Sequence, residues 1–395
     1  MALAAALTAC TESAPARAAV TMRDSAGIRI VEHSMDALAQ LPEWRVSAEP
    51  GISIGGSADA ADELNEVVGA YLASDGTIVY ADGSALEVRI HAPDGTRVRT
   101  LGRRGAGPGE FRNITSIWGR GDSSAVYDMS AKRLTVVPHD GTTPRIAALR
   151  HSGFLTSVQG SASGRMITRQ LDVAALTGIG AATGRVPEHV LVISPDGSST
   201  DTILTIPGPA LYLPPDSPGW EGPAPVGFGP ESEILVMGDT IVIGTNDAYE
   251  LTTHDLSGTP LRIVRIAAPA RGVEQHDIER AREAAWAEFE PRAGNMPPEI
   301  VTQFRSFLAG QRYAERLPFY GALASDDEGN LWVQEYQTVE DGAERFTVIG
   351  PDGSLVARVT LPPGLHLLAA GHGQVLGRWR DPDGVEQLRV HALSR

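Results

Sequence analysis

Five times along this chain an alternating apolar strand runs into a turn closed by glycine and resumes as a second alternating strand. Residues 86–92 pass through Pro93-Asp94-Gly95 into 96–101, and residues 133–138 pass through His139-Asp140-Gly141 into 145–149. Residues 189–194 pass through Pro195-Asp196-Gly197 into 200–206, and residues 249–254 pass through Asp255-Leu256-Ser257-Gly258 into 261–266. Residues 346–350 pass through Pro351-Asp352-Gly353 into 355–361. Proline presets φ near −65° and glycine takes the positive φ that a tight hairpin needs. Ahead of each unit lies another hairpin, such as 67–73 and 77–81 around Ser74-Asp75-Gly76. Each repeat therefore reads as a four-stranded meander.

Repeated four-stranded meanders at this spacing predict an all-β fold, a six-bladed β-propeller. The sixth unit, residues 365–370, 374–380 and 385–392, has only three strands. Residues 44–54 alternate suitably and are expected to supply its outer strand, which closes the ring and removes two exposed edges. Residues 1–43 stand outside the blade count. Residues 269–316 interrupt the pattern: Ile278, Ala281, Ala285 and Phe289 follow helical spacing, as do Ile300, Phe304, Phe307 and Leu308 after Pro297-Pro298. A small helical insertion is thus expected between blades 4 and 5. The 43 Gly and 27 Pro favour turn-rich β structure, and 42% hydrophobic against 21% charged residues excludes wholesale disorder.

Residues 70–82, residues 89–101 and the run Gly102-Arg103-Arg104-Gly105-Ala106-Gly107-Pro108-Gly109-Glu110-Phe111 resemble NHL-type repeats. With Arg23-Asp24-Ser25-Ala26-Gly27-Ile28 and the Gly-Asn-Leu-Trp-Val strand within 317–335, the chain resembles the bacterial six-bladed β-propeller lipoproteins, of NHL-like or TolB-like type. The resemblance covers nearly everything beyond residue 22. It implies the fold, while the members of that group share no single activity. The one cysteine, Cys10, ends Leu7-Thr8-Ala9-Cys10, which resembles a lipobox. Residues 1–22 are accordingly expected to be a lipoprotein signal and tether, with Cys10 lipidated, and residues 23–395 a single propeller domain. Cleavage near Ala16-Arg17-Ala18 is the alternative. Either way the protein is expected to be exported, and the lipidated form to sit in the cell envelope at the outer membrane facing the periplasm.

In a propeller the a–b and c–d turns share one face, and the b–c loops and blade crossings share the other. The first set is short here. The second holds residues 102–110, 173–188, the eight-proline crossing 207–230 and the insertion. Such a proline density argues against strand, and long ordered loops usually serve function. The long-loop face is therefore the expected binding face.

Catalytic motifs are absent. There is no G-x-S-x-G and no H-E-x-x-H, and Gly178-Ile179-Gly180-Ala181-Ala182-Thr183-Gly184 lacks a βαβ context. Asp82 and Asp128 end their strands and read as braces for neighbouring turns. Around the channel mouth, the start of each inner strand offers Glu66, Arg112, Asn113, Glu233, Tyr320 and His366. Gluconolactonase- and paraoxonase-type propellers hold calcium at this place, and Glu66, Asn113 and Glu233 are the oxygen donors that could contribute to such a site.

The leading expectation is a monomeric, non-catalytic exported propeller that binds a protein, peptide or glycan on its long-loop face, without cofactor. The alternative is a calcium-dependent lactonase or esterase. The 33 basic against 49 acidic residues give a net charge of −16, which argues against nucleic acid as a partner. Membrane contact is expected only through a lipid on Cys10, because no apolar run reaches the roughly 18 residues a spanning helix needs.

Overall fold

The computed structural model describes residues 20–56, 63–64, 66–151, 155–179, 183–214, 222–339, 341–381 and 384–395. Cys10 and residues 1–19 of the expected signal and tether lie outside the described residues, whereas its last three residues, Val20–Met22, belong to a strand. Among those described, no helix is long and apolar enough to cross a membrane.

The strands gather into five hydrogen-bonded sheets. Val67–Leu72, Ile78–Asp82, Glu87–His91 and Arg97–Leu101 form one antiparallel meander. Ile114–Gly119, Ser123–Asp128, Arg133–Pro138 and Arg145–Ala148 form a second. In the third, Thr156–Gly160, Met166–Leu171, Gly184–Ile193 and Thr200–Tyr212 are joined at the edge by Ala224–Pro225. The fourth builds outward from Glu233–Met237 through Thr240–Gly244 and Glu250–Asp255 to Pro260–Ile266.

The fifth sheet has nine strands and contains two meanders. One is Tyr320–Ser325, Leu331–Glu335, Arg345–Ile349 and Leu355–Thr360; the other is Leu365–Gly371, Gln374–Arg380 and Glu386–Ser394. Glu43–Val46 bridges them, parallel to Leu355–Thr360 and antiparallel to the end of Glu386–Ser394. Five sheets therefore stand where the repeats predict six separate blades, because one short N-terminal strand fuses two units. The inner strands of all these meanders neighbour one another in sequence, and Leu365–Gly371 lies against Val67–Leu72. The ring is closed.

Three further expectations are corrected. Residues 44–54 do not form one outer strand. The chain turns at Ser47, whose N–H donates to the Ala392 carbonyl at 2.9 Å, and only Ile52–Ile54 pairs with Leu388–Val390 at the outer edge. Residues 20–33 are not outside the sheets either. Val20–Ser25 and Ile28–His33 form a hairpin whose turn residues, Ala26 and Gly27, both have positive φ, and Ile28–His33 adds in parallel to Pro260–Ile266.

The third correction concerns the proline-rich crossing, whose first part is strand. Thr200–Tyr212 runs straight through Pro207 and Pro209. A proline lacks a donor but keeps its acceptor. Arg185 uses those acceptors, donating to the Gly208 and Pro207 carbonyls at 2.7 and 3.0 Å.

Middle strands of the sheets are buried on both faces. Ile78–Asp82 is buried at every position, as are five of the six residues of both Ser123–Asp128 and Arg133–Pro138. Continuous rather than alternating burial is what a sheet packed between two others requires. The clusters lie between sheets: Val79, Val88 and Ile90 of the first pack with Ile114, Val126 and Val137 of the second. In the fused sheet Trp332 is fully buried and meets Trp44 and Phe346 edge-on, with ring centroids at 6.1 and 5.8 Å.

The insertion forms two helices, Gln275–Ala293 and Pro298–Gly310. The first opens with a capping box between Glu274 and Asp277, and the second with Pro298 at its first turn. Their aromatic stripes face each other, with Phe289 and Phe304 stacked at 4.2 Å and Arg305 over Trp286 at 4.2 Å. Phe307 and Ala314 pack on Ala210, Tyr212, Ala224 and Val226 of the proline-rich arm. At Gly227 a Cβ would stand 2.4 Å from the Tyr313 ring, so only glycine lets the insertion dock there.

Trp44 carries the junction of the fused sheet. Trp44→Ala is expected to destabilise the protein by about 3–5 kcal/mol, the usual cost of deleting a buried large aromatic. Urea denaturation measures it.

Candidate functional site

The six residues singled out from the sequence all sit at the same end of the inner strands. Glu233 and Tyr320 open theirs, Glu66, Arg112 and Asn113 stand just ahead of theirs, and His366 is second. Their surroundings differ. Glu66 is exposed and accepts from Ser84 Oγ at 3.3 Å. The N–H groups of Arg112 and Asn113 donate to Asp128 at 2.7 and 3.2 Å, and the same carboxylate accepts from Ala131 N at 2.9 Å. Asp128 thus braces the turn, as Asp82 does by accepting from Ala85 N. His366 Nδ1 is 2.9 Å from Glu344, whose other oxygen accepts from Leu367 N.

Tyr320 is fully buried. Its hydroxyl accepts from Asn246 N at 3.1 Å and donates to the Glu250 carbonyl at 3.2 Å. Gly244 makes room for it, since a Cβ there would lie 1.9 Å from the hydroxyl. Asn246, at φ 40°, also accepts from Glu231 N at 2.9 Å. Asparagine tolerates that left-handed backbone better than most residues. Tyr320 and Asn246 together fix the chain that leads into Glu233.

Glu233 is where charge concentrates. Burial pushes its carboxyl up to about 7; Arg169 pulls it down, and Glu231 and Glu188 push it further up. Arg169 reaches across from Met166–Leu171, with Nη1 at 3.5 Å from Glu188, and it also donates to the Ser232 carbonyl. Burial raises the Glu188 carboxyl as well. Arg185 faces the same segment, 3.1 Å from Asp247 and 3.4 Å from Ser232 Oγ.

Beside this group stands an aromatic shelf. Phe228 lies 5.6 Å from Tyr313 and 6.5 Å, edge-on, from Tyr336. Phe228 adopts φ 54°, a strained value for a bulky residue of the kind that clusters at functional sites. Burial, with a smaller contribution from Glu231, pushes the Tyr336 hydroxyl up to about 12. A cleft of about 320 Å³ opens at the root of the insertion, lined by Pro230, Asp247, Glu315, Arg316 and Phe319.

Arg169, Glu188, Glu231, Phe228, Tyr313 and Tyr336 were not singled out in the sequence. They come from two sheets, a crossing and the insertion, and no spacing links them. Glu66 and Asn113 remain tied to their own meanders. Among the described residues no three His, Cys, Asp or Glu side chains gather as a group able to hold a metal ion. A proton-bearing carboxyl beside a guanidinium can take or give a proton near neutral pH, and the shelf can stack an organic ligand.

No family model matches this chain, and no curated protein matches it. Among solved structures it is similar to an exported protein from Bacteroides fragilis, at 10% identity and TM-score 0.50 over 93% of this chain and all of that one. It is similar to a DUF4221-family member from Bacteroides vulgatus, at 10% identity and TM-score 0.52, covering 90% and 99% of the two chains. A gluconolactonase from Xanthomonas campestris aligns at 12% identity and TM-score 0.44, covering 88% and 99%. The closed ring of meanders described above is a β-propeller, and the likeness to the two Bacteroides proteins bears on the fold alone.

The raised Glu233 value has a consequence for stability. The folded chain holds this proton more tightly than the unfolded chain, where the carboxyl keeps its ordinary value of 4.5. Its contribution is therefore fully present below pH 4.5 and is lost as pH rises through about 7. Glu233→Gln is expected to match the wild type near pH 4 and to be the more stable protein at pH 8. Denaturant midpoints across that range check it.

Proposed function

We propose that the long-loop mouth around Glu233 is the active centre of an exported, six-bladed propeller hydrolase acting on lactones or simple esters. The observation that carries this reading is a half-buried, desolvated carboxyl poised near neutrality under the influence of Arg169, at the inner-strand end where Phe228 of the same crossing packs with Tyr313 and Tyr336. A general base works best when its pKa lies near the working pH, and perturbed carboxyls cluster at functional sites. In the proposed reaction, ionised Glu233 takes a proton from water as the water oxygen bonds to the acyl carbon. Arg169 stabilises the oxyanion that forms, and Glu233 returns the proton to the departing alkoxide as the acyl C–O bond breaks. The six-blade count rests on two meanders sharing the nine-stranded sheet. Export is supported by the Leu7-Thr8-Ala9-Cys10 pattern and by the exported-protein neighbour. A lipid on Cys10 and an outer-membrane location belong to the same proposal.

A second reading has its own support. Phe228, Tyr313 and Tyr336 form a surface suited to stacking a peptide or glycan without turnover, which makes the protein a monomeric binder. One assay separates the two: turnover of a lactone and ester panel, with and without added calcium. The hydrolase reading expects turnover reduced by about 10²–10⁴-fold in Glu233→Gln, with an inflection near pH 7 in the wild type. Calcium-dependent turnover lost on Glu66→Gln would restore the calcium site of Glu66, Asn113 and Glu233. No turnover anywhere on the panel, with glycan- or peptide-array binding lost on Tyr336→Ala, would establish the binder.

A further inference from the structure

A larger cavity, about 810 Å³, lies on the opposite face from Glu233. It opens between the fourth sheet and the Tyr320–Thr360 meander, where the a–b turns at Gly238 and Gly329 and the c–d turn at Pro351 converge. The N-terminal hairpin forms its outer wall through Asp24, Gly27 and Arg29. That hairpin has no place in the repeat pattern, and no loop on this face is long. The sequence therefore gives no sign of the cavity.

Two guanidiniums face it. Arg29 and Arg262 are direct partners in the parallel ladder between Ile28–His33 and Pro260–Ile266. Like charges set opposite each other across strands are destabilising unless something neutralises them. Arg262 is held in place by donating to the Pro351 carbonyl, and its buried Nε has no hydrogen-bond partner among the described residues. Burial lowers its affinity for its proton, Arg29 lowers it further, and Asp352 offsets part of this.

Two of the acids along the wall, Asp326 and Asp327, are committed elsewhere. Asp326 accepts from Trp332 Nε1 and Asn330 Nδ2 at 3.1 and 2.8 Å, and from the Glu328 and Asn330 amides. Asp327 pairs with His372 at 3.0 Å. Asp24 approaches Arg29 only at 3.7 Å, with both side chains largely exposed. Val236, Met237, Val242 and Leu261 supply apolar lining, interleaved with Thr240 and Thr253.

We infer that this cavity is a second binding site, whose ligand is an organic carboxylate with an aliphatic body. The carboxylate bridges Arg29 and Arg262, a geometry guanidinium forks favour. The aliphatic part lies on Val236, Met237 and Leu261. The volume falls within the range of small-molecule sites. The site shares no residue with the group around Glu233 and stands whether or not that group hydrolyses anything.

The test is calorimetric titration of the full chain at neutral pH with octanoate, octanol and inorganic phosphate. Octanoate should bind one per chain, and octanol and phosphate at least ten-fold more weakly. Arg29→Gln and Arg262→Gln should each weaken octanoate at least ten-fold, while Glu233→Gln leaves it unchanged. Arg29→Gln guards against a folding artefact, because its exposed side chain should leave the melting temperature of the free protein unaltered. Octanol binding as tightly as octanoate, phosphate binding as tightly as octanoate, or undiminished octanoate affinity in Arg29→Gln would each overturn the proposal. So would loss of octanoate binding in Glu233→Gln, or the absence of binding by all three probes.

Discussion

Every sheet in this protein depends on having a neighbour on both faces. Strands such as Ile78–Asp82 are buried at each position, so a single meander in water would expose two apolar surfaces instead of one. Closing the inner strands into a ring meets that demand for all units together. The N-terminal residues complete it: Glu43–Val46 joins the last two meanders, Ile52–Ile54 covers an outer edge, and Trp44 seals the seam against Trp332. Residues far apart in the chain are thereby committed to one cooperative structure.

That arrangement also creates the site. Inner strands converge at one end, and the side chains that begin them come close without being neighbours in sequence. Glu233 is half-buried where these strands begin, and losing water raises its carboxyl more than Arg169 can lower it. The rigid frame of Asn246 and Tyr320 prevents the segment from relaxing outward to solvent. A carboxyl near neutrality is thus a product of the fold's geometry, which sets Glu231 and Glu188 near it along with Arg169.

Much of the architecture is legible from local chemistry. The Pro-Asp-Gly turns form as expected because each requirement is local: Asp94 Oδ1 accepts from Thr96 N at 2.8 Å while Gly95 takes φ 86°. The same Asx bond recurs at Asp196 and Asp352, whose carboxyls are held below the usual range first by the Ser194 and Ser354 hydroxyls and then by these backbone amides. The insertion helices follow their apolar spacing for the same reason. The proline-rich crossing does not read correctly, because Arg185 supplies from another strand the hydrogen bonds that Pro207 and Gly208 accept. The hairpin of residues 20–33 is equally opaque, since its place is set by a parallel partner more than 200 residues away.

Taken alone, then, the sequence determined the repeated meanders, their turns, the helical pair and the end of the inner strands where candidate residues stand. These follow from φ preferences, side-chain period and backbone hydrogen bonding within a few residues. Only the tertiary structure decided how the ring is joined and which acids lose water. It alone set Arg29 opposite Arg262 and brought Phe228, Tyr313 and Tyr336 into one shelf. Those outcomes depend on desolvation and on contacts across the ring, and neither quantity exists until distant segments have packed.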